Sequence, residues 1–462
     1  MTTNFPTLLI HNLQQMKLKN LTITLFTLGI TVVAGTTAAE AASFKVIADG
    51  LNNPRNLDFD REGNIYVTES GFGGDGSDGR CIPSPSAAYI PLCAGQNGSL
   101  IKIAKDGTRT NILSGLTSLA LSPSGEQAAG PADFKFDSRG NAYLLTGLAG
   151  NPNQRDTVLR SPDLGKLYKV DLNTGGLTTL ADFAAYEALN NPDGSDIISN
   201  PYAFAIKGNN AFVVDGGGNT LYSVGLDGSG IQNVAALPTK LIAPDKLQFP
   251  TLPEGSVDPT EGAPLPPGYT SGSNGLPVSN QSVPTGIAVA PDGSLTISEY
   301  TYFPYPEGEA RIFSVNPDNL EIETLADGFT QLTGVTYDPE GNLYALQHIN
   351  VSEWKAIQQG GIITGDISGS VIKIGADGTR STIWSGDGLE AASGITYGPD
   401  GNLYISNRAR LAGTGQIIRI NPRSEQVPEP ATIAGTLIAA AFGKAAMAKK
   451  RKHEALAKAE MV

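Results

Sequence analysis

Six side chains in this sequence have the types and the spacing for chemistry at one shared place. Glu69, Asp215, Glu299, His348 and Asn407 each end, or directly follow, a copy of one nine-residue pattern, and Asp133 lies near the start of the segment before another copy. The copies read REGNIYVTE at 61, SRGNAYLLT at 138, KGNNAFVVD at 207, PDGSLTISE at 291, PEGNLYALQ at 339 and PDGNLYISN at 399. Their beginnings hold nearly constant while the last letter changes. Carboxylates, an amide and one imidazole gathered around an opening can hold a hard cation such as Ca²⁺, or act as acid and base. The same polar positions also suit any water-exposed opening, so the types alone leave both readings open. His348 is the only histidine between the terminal segments, which leaves a Ser-His-Asp triad or a His-rich zinc site almost nothing to use.

The positioning of these residues depends on what surrounds each copy. Every copy follows a short β-rich run: PRNLDFD, PADFKFD, PYAFAIK, PTGIAVA, LTGVTYD and ASGITYG. Alternating apolar residues, an Asp/Gly/Asn turn and a second run make a hairpin. A third strand follows, as in GSLIKIAKDG and GKLYKVDLNTG, and then a fourth in five of the six units, as in LTTLADF and IQNVAALP. Four antiparallel strands repeated six times predict an all-β, six-bladed β-propeller forming one domain over residues 43–424. The sixth unit lacks its outer strand. The orphan run FKVIADGL at 44–51 matches the fourth-strand pattern, so it is expected to close the ring against QIIRIN and to hide both edges.

In a blade whose strands run a to d from the axis outward, a-to-b and c-to-d turns share one face, and b-to-c and d-to-a connections share the other. The first set is short throughout. The long insertions, three b-to-c loops and the Pro/Gly/Ser-rich segment 239–282, all belong to the second. Long loops on one rim of a rigid scaffold mark the binding side. The last letter of each copy is therefore expected at that mouth. The Asp/Gly/Asn turns themselves answer hairpin demands and lack EF-hand spacing. The loop GGDGSDG at 73–79 is a further cation candidate, set against its reading as a flexible lead into the two cysteines.

The ends of the chain read differently. Residues 1–42 contain basic Lys17 and Lys19, an apolar middle and small Ala39 and Ala41, the layout of a secretory signal, with Met16 as an alternative start. Residues 425–452 combine a Pro-rich break, an Ala-rich apolar run and a basic cluster at Lys449–Lys452, followed by a short tail, 453–462. Export makes a disulfide between Cys81 and Cys93, the chain's two cysteines, the expected state. The whole chain carries −13, and both ends are basic, so the body between them is more acidic still. Such a body repels nucleic acid and anionic lipid headgroups.

Two resemblances follow from these residues. Val427, Pro428, Glu429 and Pro430 with the segment behind them resemble the PEP-CTERM sorting signal, which implies export, a transient membrane helix and an exosortase-type processing enzyme as partner. The stretches GPADFKFDSRGNAYLLTGLAGNP at 130, SNPYAFAIKGNNAFVVDGGGN at 199 and SVPTGIAVAPDGSLTISEYTYFPYPEGEARIFSV at 282, with GGDG before the cysteine loop, are similar to the ScyD/ScyE family of exported propellers. That likeness spans residues 44–422. It implies a six-bladed fold of the NHL or gluconolactonase-like kind and a link to scytonemin-type aromatic metabolites, without fixing any catalytic residue. The expected function is an envelope or periplasmic binding or scaffold protein, serving a small aromatic metabolite or biosynthetic partner proteins. The alternatives are a metal-dependent, lactonase-like hydrolase or lyase using Ca²⁺ or another divalent cation, and a surface adhesion module.

Overall fold

The computed structural model describes residues 44–85, 90–243, 246, 277–303, 305–353 and 365–423. The secretory and sorting segments expected at 1–42 and 425–452, including Val427 to Pro430, lie outside the described residues. No helix among the described residues is long and apolar enough to cross a membrane.

Six antiparallel sheets stand around one axis. The innermost strands are Pro54–Phe59, Pro131–Phe136, Pro201–Lys207, Pro284–Val289, Leu332–Tyr337 and Gly394–Tyr397. Each leads through its Asp/Gly/Asn turn into the strand made by the recurring pattern. In blade 1, Asp60 accepts from the backbone N–H and side-chain amide of Asn64, both at 2.8 Å, while Gly63 sits at φ 80°. Asp137 and Asn141, and Asp338 and Asn342, repeat the arrangement. Both carboxylate oxygens of these Asp residues are thus used by the hairpin, and glycine supplies the positive φ that the turn needs.

Ring closure follows the expected pairing. Phe44–Leu51 runs antiparallel to Gly415–Ile420, with Phe44 opposite Ile420 and Val46 opposite Ile418. Near the axis Ser393 donates to the carbonyl of Pro54 at 2.6 Å, and Thr396 to that of Leu57 at 2.8 Å. Each of the six interfaces between neighbouring blades holds its own apolar cluster. Blades 3 and 4 meet through Phe212, Val214, Ile297 and Phe313, and the closing interface through Leu51, Val67, Tyr404 and Ile417. Burying both faces of every sheet in this way supplies the main stabilising term, at roughly 25 cal/mol per Å² of apolar surface.

Two features depart from the sequence reading. In blade 1 the third and fourth strands run far past their expected ends, as Pro91–Ile103 and Arg109–Leu121, and a fifth strand, Cys81–Pro83, joins them. The disulfide Cys81–Cys93 therefore ties two paired strands, with Cα atoms 4.1 Å apart, rather than closing a loose loop. Ile82, Leu92 and Leu119 of this extension pack against Leu148, Leu159 and Leu164 of blade 2's long loop, forming a satellite core above the ring. The second departure is a helix, Phe183–Asn190, between blades 2 and 3. Asp182 caps its start by accepting from Ala185 N, and Asn191 ends it in the left-handed region.

Candidate functional site

The last letter of each copy acts as a latch. Glu69 accepts the N–H of Asn52 at 2.7 Å, Asp215 that of Asn200 at 2.6 Å, Gln347 that of Thr330 at 2.8 Å and Asn407 that of Glu390 at 2.8 Å. Each bond ties the second strand of a blade to the chain entering the same blade's first strand. In blades 2 and 4 the latch holds the returning chain instead: Thr146 accepts from Lys166 N, and Glu299 from Arg311 N. The changing letter thus follows the changing length and path of the connection. All six are buried, and their acceptor atoms are aimed at their own blade.

Asp215 shows how fully such a residue is used. Its Oδ1 also accepts from Gly217 N and Gly218 N, both at 2.9 Å, and its Oδ2 from Ser199 Oγ at 2.8 Å. Glu299 is gripped by Arg311, with Nε to Oε2 at 2.8 Å and Nη2 to Oε1 at 2.7 Å. Asp133 lies lower, within the ring of inner strands. Its Oδ1 accepts from Phe134 N, its Oδ2 from Phe204 N of the next blade at 2.9 Å, and Lys135 Nζ stands 3.4 Å away. Burial pushes the Asp133 carboxyl up to about 6, against the pull of Lys135 and the two N–H donors.

The mouth itself is a cavity of about 540 Å³ on the face that carries the long loops. Of the six residues read from the sequence, His348 lines it, and Glu69, Asp133, Asp215, Glu299 and Asn407 do not. The residue that faces the cavity is one place further along. Ser70, Gly147, Gly216, Tyr300 and His348 each follow a latch residue, and all line the mouth. Successive side chains of an extended chain point to opposite sides, so a latch bound into its own blade leaves its neighbour facing the axis. The second ring of lining residues is the second position of the inner strand in blades 1 to 5: Arg55, Ala132, Tyr202, Thr285 and Thr333. All three long b-to-c loops and the segment around 239–282 contribute to the wall, through Pro85, Ala149, Glu353 and Gln281.

Tyrosines dominate one side. Tyr300 meets Tyr305 edge-on at 5.7 Å and the ring of His348 at 5.8 Å, and Tyr302 donates its hydroxyl to the carbonyl of Pro85 at 3.0 Å. His348 Nδ1 lies 2.8 Å from the carbonyl oxygen of Ala392. A carbonyl only accepts, so Nδ1 carries the proton and Nε2 is the bare nitrogen. Burial, reinforced by the charge of Arg410, lowers the imidazole to about 4, and His348 is therefore neutral at physiological pH.

Beside it sits a saturated ion-pair network. Glu353 accepts from Arg410 Nη1, from the Tyr300 hydroxyl at 2.7 Å and from Gln331 Nε2 at 3.2 Å, and Arg410 also reaches Glu126. Burial raises the Glu353 carboxyl, but Arg410 and these donors more than offset it and hold the group below its usual range. Sequence reading missed Arg55, Tyr202, Tyr300, Glu353 and Arg410. The first three carry a findable signal, the second inner-strand position and the place after the latch. Glu353 and Arg410 lie in non-repeating loops and carry none.

The mouth offers no divalent-cation site among the described residues. Among the described residues no three or more His, Cys, Asp or Glu side chains converge in a metal-holding group. The expected carboxylate ligands are spent as latches, and Glu353 already serves Arg410, Tyr300 and Gln331. In the GGDGSDG loop, Asp75 and Asp78 cap their own turns through Ser77 and Arg80.

No protein-family model matches the chain, and no curated protein matches it. Solved structures do. A virginiamycin B lyase from Staphylococcus aureus is 12% identical, covering 82% of this chain and 99% of its own, with a TM-score of 0.40. A gluconolactonase from Xanthomonas campestris is 11% identical, covering 83% and 90%, with a TM-score of 0.43. A glucose dehydrogenase is 13% identical, covering 82% and 98%, with a TM-score of 0.44. Their activities do not transfer. At such identities and scores these likenesses carry no argument about what this chain binds or converts.

Proposed function

We propose that this protein is an exported propeller that binds a small, flat organic molecule in its mouth and acts in the periplasm or cell envelope. One observation supports this above the others: a cavity of about 540 Å³ is lined by Tyr202, Tyr300, Tyr302 and Tyr305, while the repeat carboxylates turn away from it. That volume is typical of small-molecule sites, and aromatic walls with few fixed polar groups favour planar ligands. The secretory layout of residues 1–42 and the Cys81–Cys93 bond favour an oxidising compartment. The similarity to ScyD/ScyE propellers supports an aromatic metabolite as cargo, of the kind handled in scytonemin assembly, with biosynthetic enzymes as partners. The sorting-type tail supports processing by an exosortase-type enzyme, which mass spectrometry of the mature C-terminus would read. The binding role is tested by calorimetric titration of the full chain with a panel of one- and two-ring aromatic compounds. Binding that weakens at least tenfold in a Tyr300→Ala variant is expected, and a panel without a single binder removes the reading.

One observation favours a second reading. The bare Nε2 of His348 faces the mouth in a neutral ring held in place by Ala392, the arrangement of a general base. A metal-free proton-transfer enzyme would lose turnover in a His348→Ala variant while keeping its ligand.

A further inference from the structure

The mouth contains two cations in unlike surroundings. Arg410 is matched by Glu353 and Glu126. Arg55 meets only neutral partners among the described residues. Its Nη2 donates to the carbonyl of Ala128 at 2.6 Å and its Nη1 to that of Ala409 at 3.2 Å. Those carbonyls belong to loops on either side of blade 1, so the guanidinium is held in one orientation before any ligand arrives. A guanidinium has five N–H donors; these bonds use two, and another is turned toward the Tyr202 phenol, which leaves donors for a ligand. Half-buried and, among the described residues, without a counter-charge, the group is incompletely compensated for the water it has lost.

Resting on the reading of the mouth as a small-molecule site, we propose that its ligand is an aromatic carboxylate, with the acid group on Arg55 and the ring against the tyrosines. The surroundings supply the rest of the recognition. Arg55 occupies the second position of its inner strand, and the equivalent positions in blades 2 to 5 hold Ala132, Tyr202, Thr285 and Thr333, none of them charged. The Tyr202 phenol lies close enough to Arg55 for the guanidinium to counter part of the rise that burial imposes on its pKa. Tyr300, Tyr305 and His348 form a continuous aromatic wall in the same mouth. A carboxylate matches the planar donor fork of arginine, whereas a neutral amide supplies one acceptor and no charge. The protein as a whole is acidic, which opposes random uptake of anions and makes Arg55, the mouth cation that no carboxylate among the described residues matches, the selective element.

The test compares matched compounds on the full-length protein by isothermal titration calorimetry: 2-naphthoate, 2-naphthamide and acetate. Naphthoate is expected to bind at least tenfold more tightly than naphthamide, with acetate weaker than either. Arg55→Gln should bring the two naphthyl compounds to equal affinity, and Arg55→Lys should retain only part of the preference. Equal affinity of acid and amide for the wild-type protein overturns the assignment of Arg55 while leaving the aromatic mouth standing. Absence of binding by both naphthyl compounds overturns both readings. Because Arg55 also ties two loops, its variants are checked by thermal unfolding. Should they fail to fold, the wild-type acid-to-amide ratio decides, and its collapse toward one in 0.5 M NaCl would confirm that charge carries it.

Discussion

Arg311 holds both carboxylate oxygens of Glu299, at 2.8 and 2.7 Å, across neighbouring strands of blade 4. The pair is nearly dry, with Glu299 side-chain exposure at 2% and Arg311 at 11%. Removing one partner of such a pair leaves the other charge uncompensated, at a cost of about 3 kcal/mol. Glu299→Gln should therefore lower unfolding stability by about that amount in urea titrations while leaving mouth binding within twofold. A variant of unchanged stability that loses ligand would instead return Glu299 to the site.

The closing strand makes a prediction about solubility. Deleting residues 1–51 removes Phe44–Leu51 and bares the edge of Gly415–Ile420, a run of Ile417, Ile418 and Ile420. Open apolar edges recruit other chains. Size-exclusion chromatography should show the truncated protein as aggregate, and a monomeric, cooperatively unfolding product would argue against closure by this strand.

The disulfide joins residues 12 apart within the extended sheet of blade 1. A ring of that size restricts the unfolded chain by up to about 3 kcal/mol. Replacing Cys81 and Cys93 by Ser should cost about 2 kcal/mol in chemical denaturation. It should also weaken naphthoate binding severalfold, since the strand leads to Pro85, which accepts from the Tyr302 hydroxyl at the rim.

Stability should rise on mild acidification. Burial pushes the Glu187 carboxyl from 4.5 up to about 8, helped by the nearby charge of Asp215, while Tyr222 donates to its Oε2 at 3.2 Å. Below pH 8 the folded chain holds a proton there that the unfolded chain releases until about pH 4.5, so this contribution is lost as pH rises through 8. Asp133 acts in the same sense around pH 6. His348 acts oppositely, because below pH 6.5 the unfolded chain takes a proton that the folded ring refuses until about pH 4. The melting temperature should therefore climb as pH falls from about 8 toward about 4.5, with a plateau between pH 6 and 6.5 where Glu187 and His348 cancel, and Glu187→Gln should remove the decline between pH 6.5 and pH 8.5, about 2 kcal/mol. A flat wild-type profile over that range would contradict the burial of an ionisable Glu187.

The imidazole gives an independent check. Its NMR signals, identified by their loss in His348→Gln, should not titrate between pH 5 and pH 8; a midpoint near 6.5 would mean that the ring is solvated and freely protonated.

The blade count, the strand order within each blade, the closing role of FKVIADGL and the crowding of long loops onto one face were all legible in the sequence. Each depends on local periodicity and on turn residues whose backbone demands are the same wherever they occur. What only the tertiary structure decided is which way each polar side chain points at the mouth. Glu69, Asp215, Glu299 and Asn407 sit where a site residue could sit, yet an incoming backbone N–H or a neighbouring arginine claims each one, and those partners come from other strands and loops. The step of one residue that separates a latch from a lining side chain turns the carboxylates inward to the blade. Tyr300 and His348 are left facing the axis, beside an Arg55 whose two partners lie 73 and 354 residues away in the chain.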